Sequence, residues 1–127
     1  MEINTHRKVD PRLCGRVLAL QEGGSRVEMT CDGCMAVDKR GLVHGGFIFG
    51  LADYAAMVAV NHPNVVLGAA DCRFLKPVSV GETVTAEARV TESDGRRHTV
   101  AVSVERGGEA VFSGRFTCFV LDKHVLA

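Results

Sequence analysis

The sequence predicts an α+β domain in which an antiparallel β-sheet wraps around one long central α-helix. One observation is an apolar segment of helical length, residues 44–60, which ends just before Pro63. A second is the series of alternating segments that follows it, separated by glycine-containing turns. The helical segment is apolar on nearly every face, so we expect it to lie inside the protein, covered by the sheet.

Two short strands are predicted before the helix. Residues 16–22 and 26–31 flank a turn at Gly23 and Gly24, and in the second strand Val27, Met29 and Cys31 alternate toward one face. Residues 32–43 have no regular pattern. We therefore expect a hairpin, then an irregular loop, then the helix, whose end is marked by Asn61.

Four strands are predicted after the helix. The first covers residues 65–75 and the next three cover 83–91, 98–105 and 110–121. Turns at residues 93–95 and 107–108 make the last three consecutive and antiparallel. The alternating apolar positions that face the helix are Val84, Ala86, Ala88, Val90, Val100, Val102, Val104, Phe112, Phe116, Cys118 and Val120.

Composition predicts one ordinary globular domain over residues 1–127, with residues 1–14 as an N-terminal extension. A formal net charge of +0 from 15 basic and 15 acidic residues gives no reason to expect nucleic-acid binding. The polar N-terminus lacks a signal-peptide core, and the apolar segment is too short to span a bilayer. We expect a cytoplasmic protein without a membrane partner.

Five cysteines at irregular spacing indicate reduced thiols. Cys31 and Cys34 form a C-x-x-C pair, but no second pair stands at a recognisable metal-ligand spacing. We expect ordinary thiols and no metal site.

One aspartate stands out within the apolar segment. Asp53 is the only formally charged residue between Arg40 and Asp71. A carboxylate in such a place carries a desolvation cost and has to be paired, hydrogen-bonded or functional. Asp53 is therefore the leading candidate for a reactive group.

The helix start and its surroundings carry a family resemblance. His44-Gly45-Gly46, Asp53 nine residues after the histidine, Asn61 at the helix end, and the segments 73–77 and 81–89 are the features concerned. Over residues 15–121 the chain resembles hotdog-fold acyl-CoA thioesterases of the phenylacetate-degradation (PaaI-like) type.

That resemblance implies hydrolysis of a coenzyme A thioester by a homodimer, possibly paired into a dimer of dimers, with no cofactor beyond the coenzyme A of the substrate. It also implies that Asp53 is the nucleophile or general base, that the Gly46 N–H polarises the carbonyl, and that His44 shapes the carbonyl-binding loop. Helix geometry supports the dimer independently, because seven residues at about 1.5 Å each separate Gly46 from Asp53 by about 10 Å. Two antiparallel copies could bring one copy's amide to the other copy's carboxylate.

Further residues are substrate-binding candidates. Asp38 occupies the position where many relatives carry asparagine, and Tyr54 the position where relatives often carry threonine or asparagine. We expect the acyl and carbonyl parts of the substrate to contact Asp38, Gly45, Phe47, Tyr54, Met57 and Phe74. Candidates for the coenzyme A phosphates are Arg73, Lys76, Arg96 and Arg97.

Two other functions stay open on the sequence. The departures at Asp38 and Tyr54 allow a non-catalytic acyl-CoA-binding or regulatory protein of the same fold. A hydratase or dehydratase of this fold is the third alternative, but the Asp-x-Asn-Pro-x-His motif typical of those enzymes does not occur here.

Overall fold

A single long helix lies against one face of a six-stranded antiparallel sheet and contacts every strand of it. The computed structural model describes all residues, 1–127. In chain order its elements are α1 (Pro11–Cys14), β1 (Arg16–Gln21), β2 (Gly24–Thr30), a 3-10 turn (Gly33–Met35), α2 (Gly45–Val60), β3 (Val65–Phe74), β4 (Thr83–Asp94), β5 (Arg97–Arg106) and β6 (Glu109–Val120).

The strands lie in the order β1-β2-β4-β5-β6-β3, with every neighbouring pair antiparallel. The hairpins β1–β2, β4–β5 and β5–β6 follow directly from the turn signals in the sequence. β3 instead pairs with β6, so that Val65 opposes Val120 and Phe74 opposes Phe112. This sheet around one helix confirms the predicted architecture.

The core forms where the sheet's inner face meets the helix. The predicted alternation holds, since Val84, Ala86, Val100, Val104 and Phe116 are fully buried. The buried helix positions are Ile48, Leu51, Ala52, Tyr54, Ala55, Ala56, Met57, Val58 and Ala59.

One stripe of α2 escapes burial. Gly46 is exposed, while Phe49, Gly50 and Asp53 are only partly buried. Their spacing places them along one side of the helix. An added Cβ at Gly50 would meet no atom within 4 Å, so this side of the helix is open in the single chain.

The helix ends agree with the sequence signals. His44 precedes the first turn in an extended conformation without a side-chain capping bond, and Asn61 ends the helix in the left-handed region at φ 56°. The ends of the observed strands differ from the predicted ends by no more than three residues. No helix in the structure combines the length and the apolar character needed to cross a membrane.

The N-terminal extension is an ordered part of the fold. It contains the unpredicted helix α1, which Asp10 caps by accepting a hydrogen bond from the Arg12 N–H at 2.9 Å. Its first residues are tied to the end of α2, because the Asn4 N–H donates to Asn61 Oδ1 at 2.7 Å and Asn61 Nδ2 donates to the Glu2 carbonyl at 2.8 Å.

Candidate active site

Asp53 lies in the middle of α2, and one of its two carboxylate oxygens has no hydrogen-bond partner. Its Oδ1 is buried and accepts no hydrogen bond. Burial raises the pKa of the Asp53 carboxyl from 3.8 to about 6. A buried acceptor without a donor is unusual in folded proteins and indicates either a bound molecule or a functional group.

Space adjoins this carboxylate. Asp53 lines a cavity of about 400 Å³ together with Met57 and Leu67. The two ends of the chain complete its wall, through Thr5 and His6 on one side and His124 and Val125 on the other. Of the predicted substrate-binding residues, Met57 is the one that shares this cavity.

The N-terminus of α2 presents the second predicted group. The Gly46 N–H makes no hydrogen bond within the chain, as expected in the first turn of a helix. The ring of His44 packs over this glycine, since an added Cβ at Gly46 would lie 3.0 Å from His44 Nε2. The helix end also carries positive partial charge, so an oxyanion beside Gly46 would be stabilised.

Within one chain the Gly46 N–H and the Asp53 carboxylate do not lie in the same cavity. Gly46 is absent from the lining of the Asp53 cavity, and seven residues of helix correspond to about 10 Å. A separate cavity of about 290 Å³ lies beside the start of α2 and is lined by Gly45, Phe74 and Lys76. The structure therefore brings together two separate subsets of the predicted residues.

The remaining predicted carbonyl and acyl contacts lie outside these cavities. Asp38 Oδ1 accepts hydrogen bonds from the N–H groups of Arg40 and Leu42 at 3.0 Å and 3.3 Å, which stabilise its own turn. Tyr54 is buried in the core, and burial raises the pKa of its hydroxyl. Phe47 is partly buried and meets the His44 ring edge-on at a centroid distance of 6.1 Å.

The predicted phosphate-binding cations differ in their surroundings. Lys76 lies 4.0 Å from Glu109, Arg96 pairs with Asp122, and Arg97 lies between Glu92 and Asp94. Arg73 has no acidic partner within 4.0 Å. It borders a groove of about 820 Å³ on the outer face of the sheet, with Arg89 and Arg115 also in its lining.

Sequence reasoning missed the terminal residues of the Asp53 cavity, Thr5, His6, His124 and Val125. Residues 1–14 appeared only as an extension, and no local motif links them to the helix. Cys118 also lies near Asp53, and the pKa of its thiol is raised to about 12 by burial and, secondarily, by the charge of Asp53. Cys31 is buried and Cys34 exposed, and no group of three or more His, Cys, Asp or Glu side chains is placed to hold a metal ion.

Comparison with solved structures identifies close relatives of this fold. An uncharacterised protein of Pyrococcus horikoshii is 50% identical with a TM-score of 0.99, and the match covers 100% of this chain and 98% of that one. A variant of the phenylacetic acid degradation protein PaaI of Thermus thermophilus is 30% identical with a TM-score of 0.78, over 86% of this chain and 95% of that one.

Relatives by sequence are longer proteins. A methylthioribose-1-phosphate isomerase of Aquifex aeolicus is 46% identical over 96% of this chain but only 27% of its own length. The transcription factor FapR of Bacillus subtilis is 35% identical over 61% of this chain and 43% of its own length. The chain thus spans about a quarter to a half of these relatives, and their names assign no activity to it.

A family model gives the assignment. The model described as the thioesterase superfamily matches residues 40–113, from the turn before α2 into β6, and so includes Gly46 and Asp53. The fold and these matches confirm the resemblance to PaaI-type hotdog proteins. The chain belongs to the thioesterase superfamily.

Proposed function

We propose that the protein hydrolyses an acyl-CoA thioester to the free acid and coenzyme A. The observation that carries this proposal is the carboxylate of Asp53, a residue that lines a cavity, because one of its oxygens is buried without a hydrogen-bond partner and its pKa is about 6. Such a carboxylate is ionised at pH 7 yet basic enough to accept a proton from water. Family membership supports the reaction class, and the solved PaaI relatives support the type.

In the proposed reaction Asp53 acts as general base or nucleophile, and the thioester carbonyl lies against the N–H of Gly46. With Asp53 as base, water gives a proton to the carboxylate while its oxygen attacks the carbonyl carbon. The resulting oxyanion is stabilised by the Gly46 N–H and the helix end. Collapse then breaks the carbon–sulfur bond, and the proton held by Asp53 passes to the departing sulfur.

A homodimer would bring these groups together. β3 is an edge strand of ten residues with no strand on its outer side, and an unpaired edge of that length is suited to pairing with a second copy. The open stripe of α2 contains Gly46 and Gly50, whose missing side chains permit close approach of a second helix. An antiparallel partner helix would place its Gly46 opposite Asp53.

The coenzyme A moiety carries phosphates and needs cationic partners. We assign this role first to Arg73, which has no acidic partner, and to Lys76, which lines the cavity at the start of α2. Arg96 and Arg97 are already engaged by acidic neighbours, so their contribution to phosphate binding is expected to be smaller.

The test is hydrolysis of a panel of acyl-CoA thioesters by the purified protein and by Asp53→Asn. We expect the substitution to lower kcat by about 10²–10⁴-fold because it removes the proton acceptor. In the wild-type protein kcat/KM should rise with pH through about 6 and then level off, following ionisation of Asp53. Wild-type activity against no member of the panel, or unchanged turnover in Asp53→Asn, would contradict the proposal.

The second candidate is acyl-CoA binding without hydrolysis, in a regulatory role. It is favoured by the FapR relatives, which are named as transcription factors, and by the use of Asp38 to cap its own turn. Calorimetric titration with the same acyl-CoA panel separates the two functions. Saturable binding without release of free thiol would identify the binding protein.

A further inference from the structure

The outer face of the sheet, on the side away from α2, has a groove of about 820 Å³ that no step of the proposed reaction uses. Small side chains on β5 and β6 form its floor, namely Ala101, Ser103 and Ser113. Longer charged side chains border this floor on β4 and β6. The groove therefore combines a low centre with charged margins.

Strand pairing arranges the central groove residues in two rows that cross β4, β5 and β6. The first row is Arg89, Ala101 and Arg115, and the second row is Glu87, Ser103 and Ser113. The rows lie two residues apart along each strand, which corresponds to about 7 Å. All six side chains point away from the helix, because the residues that alternate with them, such as Val102 and Phe116, are buried in the core.

The groove contains charges of both signs. Its lining includes four arginines and three acidic residues. Glu87 lies 3.5 Å from Arg26, whereas no acidic group lies within 4.0 Å of the Arg89 guanidinium. A polyanion would meet carboxylates as well as arginines, so this nearly neutral mixture better fits a surface that also carries both signs. A second copy of the same face is such a surface.

The order of the residues in the rows makes the face complementary to itself. Consider a two-fold axis that lies between two facing sheets, crosses the strands and passes midway between the two rows. Each first row then lies over the second row of the other copy. Arg89 faces Glu87 of the second copy, and Ala101 faces Ser103 of the second copy. Sheets that pack face to face keep their strands within about 30° of each other, so this alignment holds near the axis.

The remaining central charge is also accommodated. Arg115 faces the small Ser113 of the second copy and keeps Asp71 of its own chain as its cross-strand neighbour. Other arrangements oppose like charges. An axis along β5 would set Arg89 opposite Arg115 of the second copy, and an axis along the first row would set Arg89 opposite its own equivalent. Only the axis between the rows avoids these repulsions.

We propose that the outer face of the sheet is an interface between two copies of this chain, in which each Arg89 pairs with Glu87 of the other copy. Four strands at about 4.8 Å each and about ten residues at about 3.4 Å each give a face of roughly 600 Å² per copy. That is the lower end of the range for stable interfaces. Because this face and α2 lie on opposite sides of the sheet, the interface joins two of the helix-to-helix dimers proposed above into a tetramer. The inference does not depend on thioester hydrolysis.

The test measures the mass of the assembly by size-exclusion chromatography with light scattering. Arg89→Glu opposes two carboxylates across the axis and should halve the mass, and Glu87→Arg should do the same by opposing two arginines. An equimolar mixture of these two variants should recover the wild-type mass, because in a mixed pair every changed charge meets an opposite charge. Ser103→Trp should also halve the mass, since it fills the floor of the groove without changing its charge.

The matched control is Lys8→Glu. Lys8 is exposed and lies outside the groove, so reversal of its charge should leave the wild-type mass unchanged. Raising the salt concentration from about 0.05 M to about 0.5 M should shift the wild type toward the halved mass, because salt screens the charge pairs. Circular dichroism verifies that each variant keeps the fold.

Two outcomes would overturn the proposal. If Arg89→Glu and Ser103→Trp have the same mass as the wild type, the outer face does not join copies of this chain. Saturable binding of pyrophosphate by such a wild type in calorimetry would assign the groove to an anion instead. If the two charge variants halve the mass alone but stay at the halved mass when mixed, Arg89 does not face Glu87 of the second copy.

Discussion

In the proposed mechanism Asp53 is the reactive group, and its burial also destabilises the fold. Its pKa rises from 3.8 to about 6 because burial disfavours the charged form. At pH values above both pKa values, such a shift corresponds to a destabilisation of the folded state by about 3 kcal/mol. We reduce this figure to about 1–2 kcal/mol because the residue is only partly buried. A carboxylate that destabilises the fold but serves the reaction is an example of the stability–activity trade-off.

The sign of this effect gives a prediction for Asp53→Asn. Because the pKa of Asp53 is raised in the folded state, its carboxyl makes its full favourable contribution to the free energy of unfolding below about pH 3.8. This contribution is lost as the pH rises through about 6. Asp53→Asn should therefore increase the free energy of unfolding by about 1–2 kcal/mol at pH 8 and change it little near pH 4. Urea unfolding of both proteins at the two pH values measures the difference.

The control for this prediction is Asp71→Asn. Asp71 is an exposed aspartate on β3 without an ion-pair partner within 4.0 Å, so its neutralisation should leave stability nearly unchanged at both pH values. An equal gain for Asp53→Asn at pH 4 and pH 8 would show that charge burial is not the cause.

Among the elements, the junction between α1 and β1 is tightly packed against the core. Gly15 adopts φ 96°, and an added Cβ would lie 2.7 Å from Leu51 Cδ1 and 2.8 Å from Val27 Cγ1. Both neighbours are fully buried, one on α2 and the other on β2. The chain therefore enters β1 by passing directly over the core, at a point where only glycine fits.

Gly15→Ala should lower the free energy of unfolding by about 2–4 kcal/mol, through the strained φ together with overpacking of the core. Gly33→Ala is the matched control, because its added Cβ meets no atom within 4 Å and its φ is not in the left-handed region. We expect the control to differ from the wild type by less than about 0.5 kcal/mol in urea unfolding. Equal stability of the two variants would contradict this account of the junction.

Elements with a strong local pattern were predictable from the sequence, and those that depend on distant contacts were not. The α2 segment and the β4–β6 series follow from apolar periodicity, and Asp53 stood out because no other charge accompanies it. The pairing of β3 with β6 and the placing of Thr5 and His6 beside Asp53 depend on long-range contacts. Asn61 reaches Asn4 across 57 residues, a relation that no sequence window contains. The helix α1 had a local signal in Asp10 and Pro11, but four residues are too few for periodicity to reveal.

At the scale of the whole molecule, the proposed mechanism divides the site between two parts of α2 that are separate in the single chain. The Gly46 N–H and the Asp53 carboxylate lie on the same open side of α2 but about 10 Å apart. Residues near the start of this helix are also unusually exposed for their type, with Phe74 at 56% and Val37 at 53%. An antiparallel second copy would cover such apolar surface and complete two equivalent sites.

Subunit complementation tests this shared site. Gly46→Pro removes the donor N–H at a first-turn position where proline is tolerated, and Asp53→Asn removes the base, so each variant alone should lose about 10²-fold or more in kcat. In a mixed dimer the intact Gly46 of one copy faces the intact Asp53 of the other. Coexpression of the two variants should thus restore about a quarter of wild-type activity, because half of randomly formed dimers are mixed and each mixed dimer has one complete site.

Circular dichroism and light scattering verify that both variants fold and associate. Activity of the coexpressed pair no higher than that of either variant alone would place Gly46 and Asp53 in one subunit's site, since exchange between subunits could not then repair the defect.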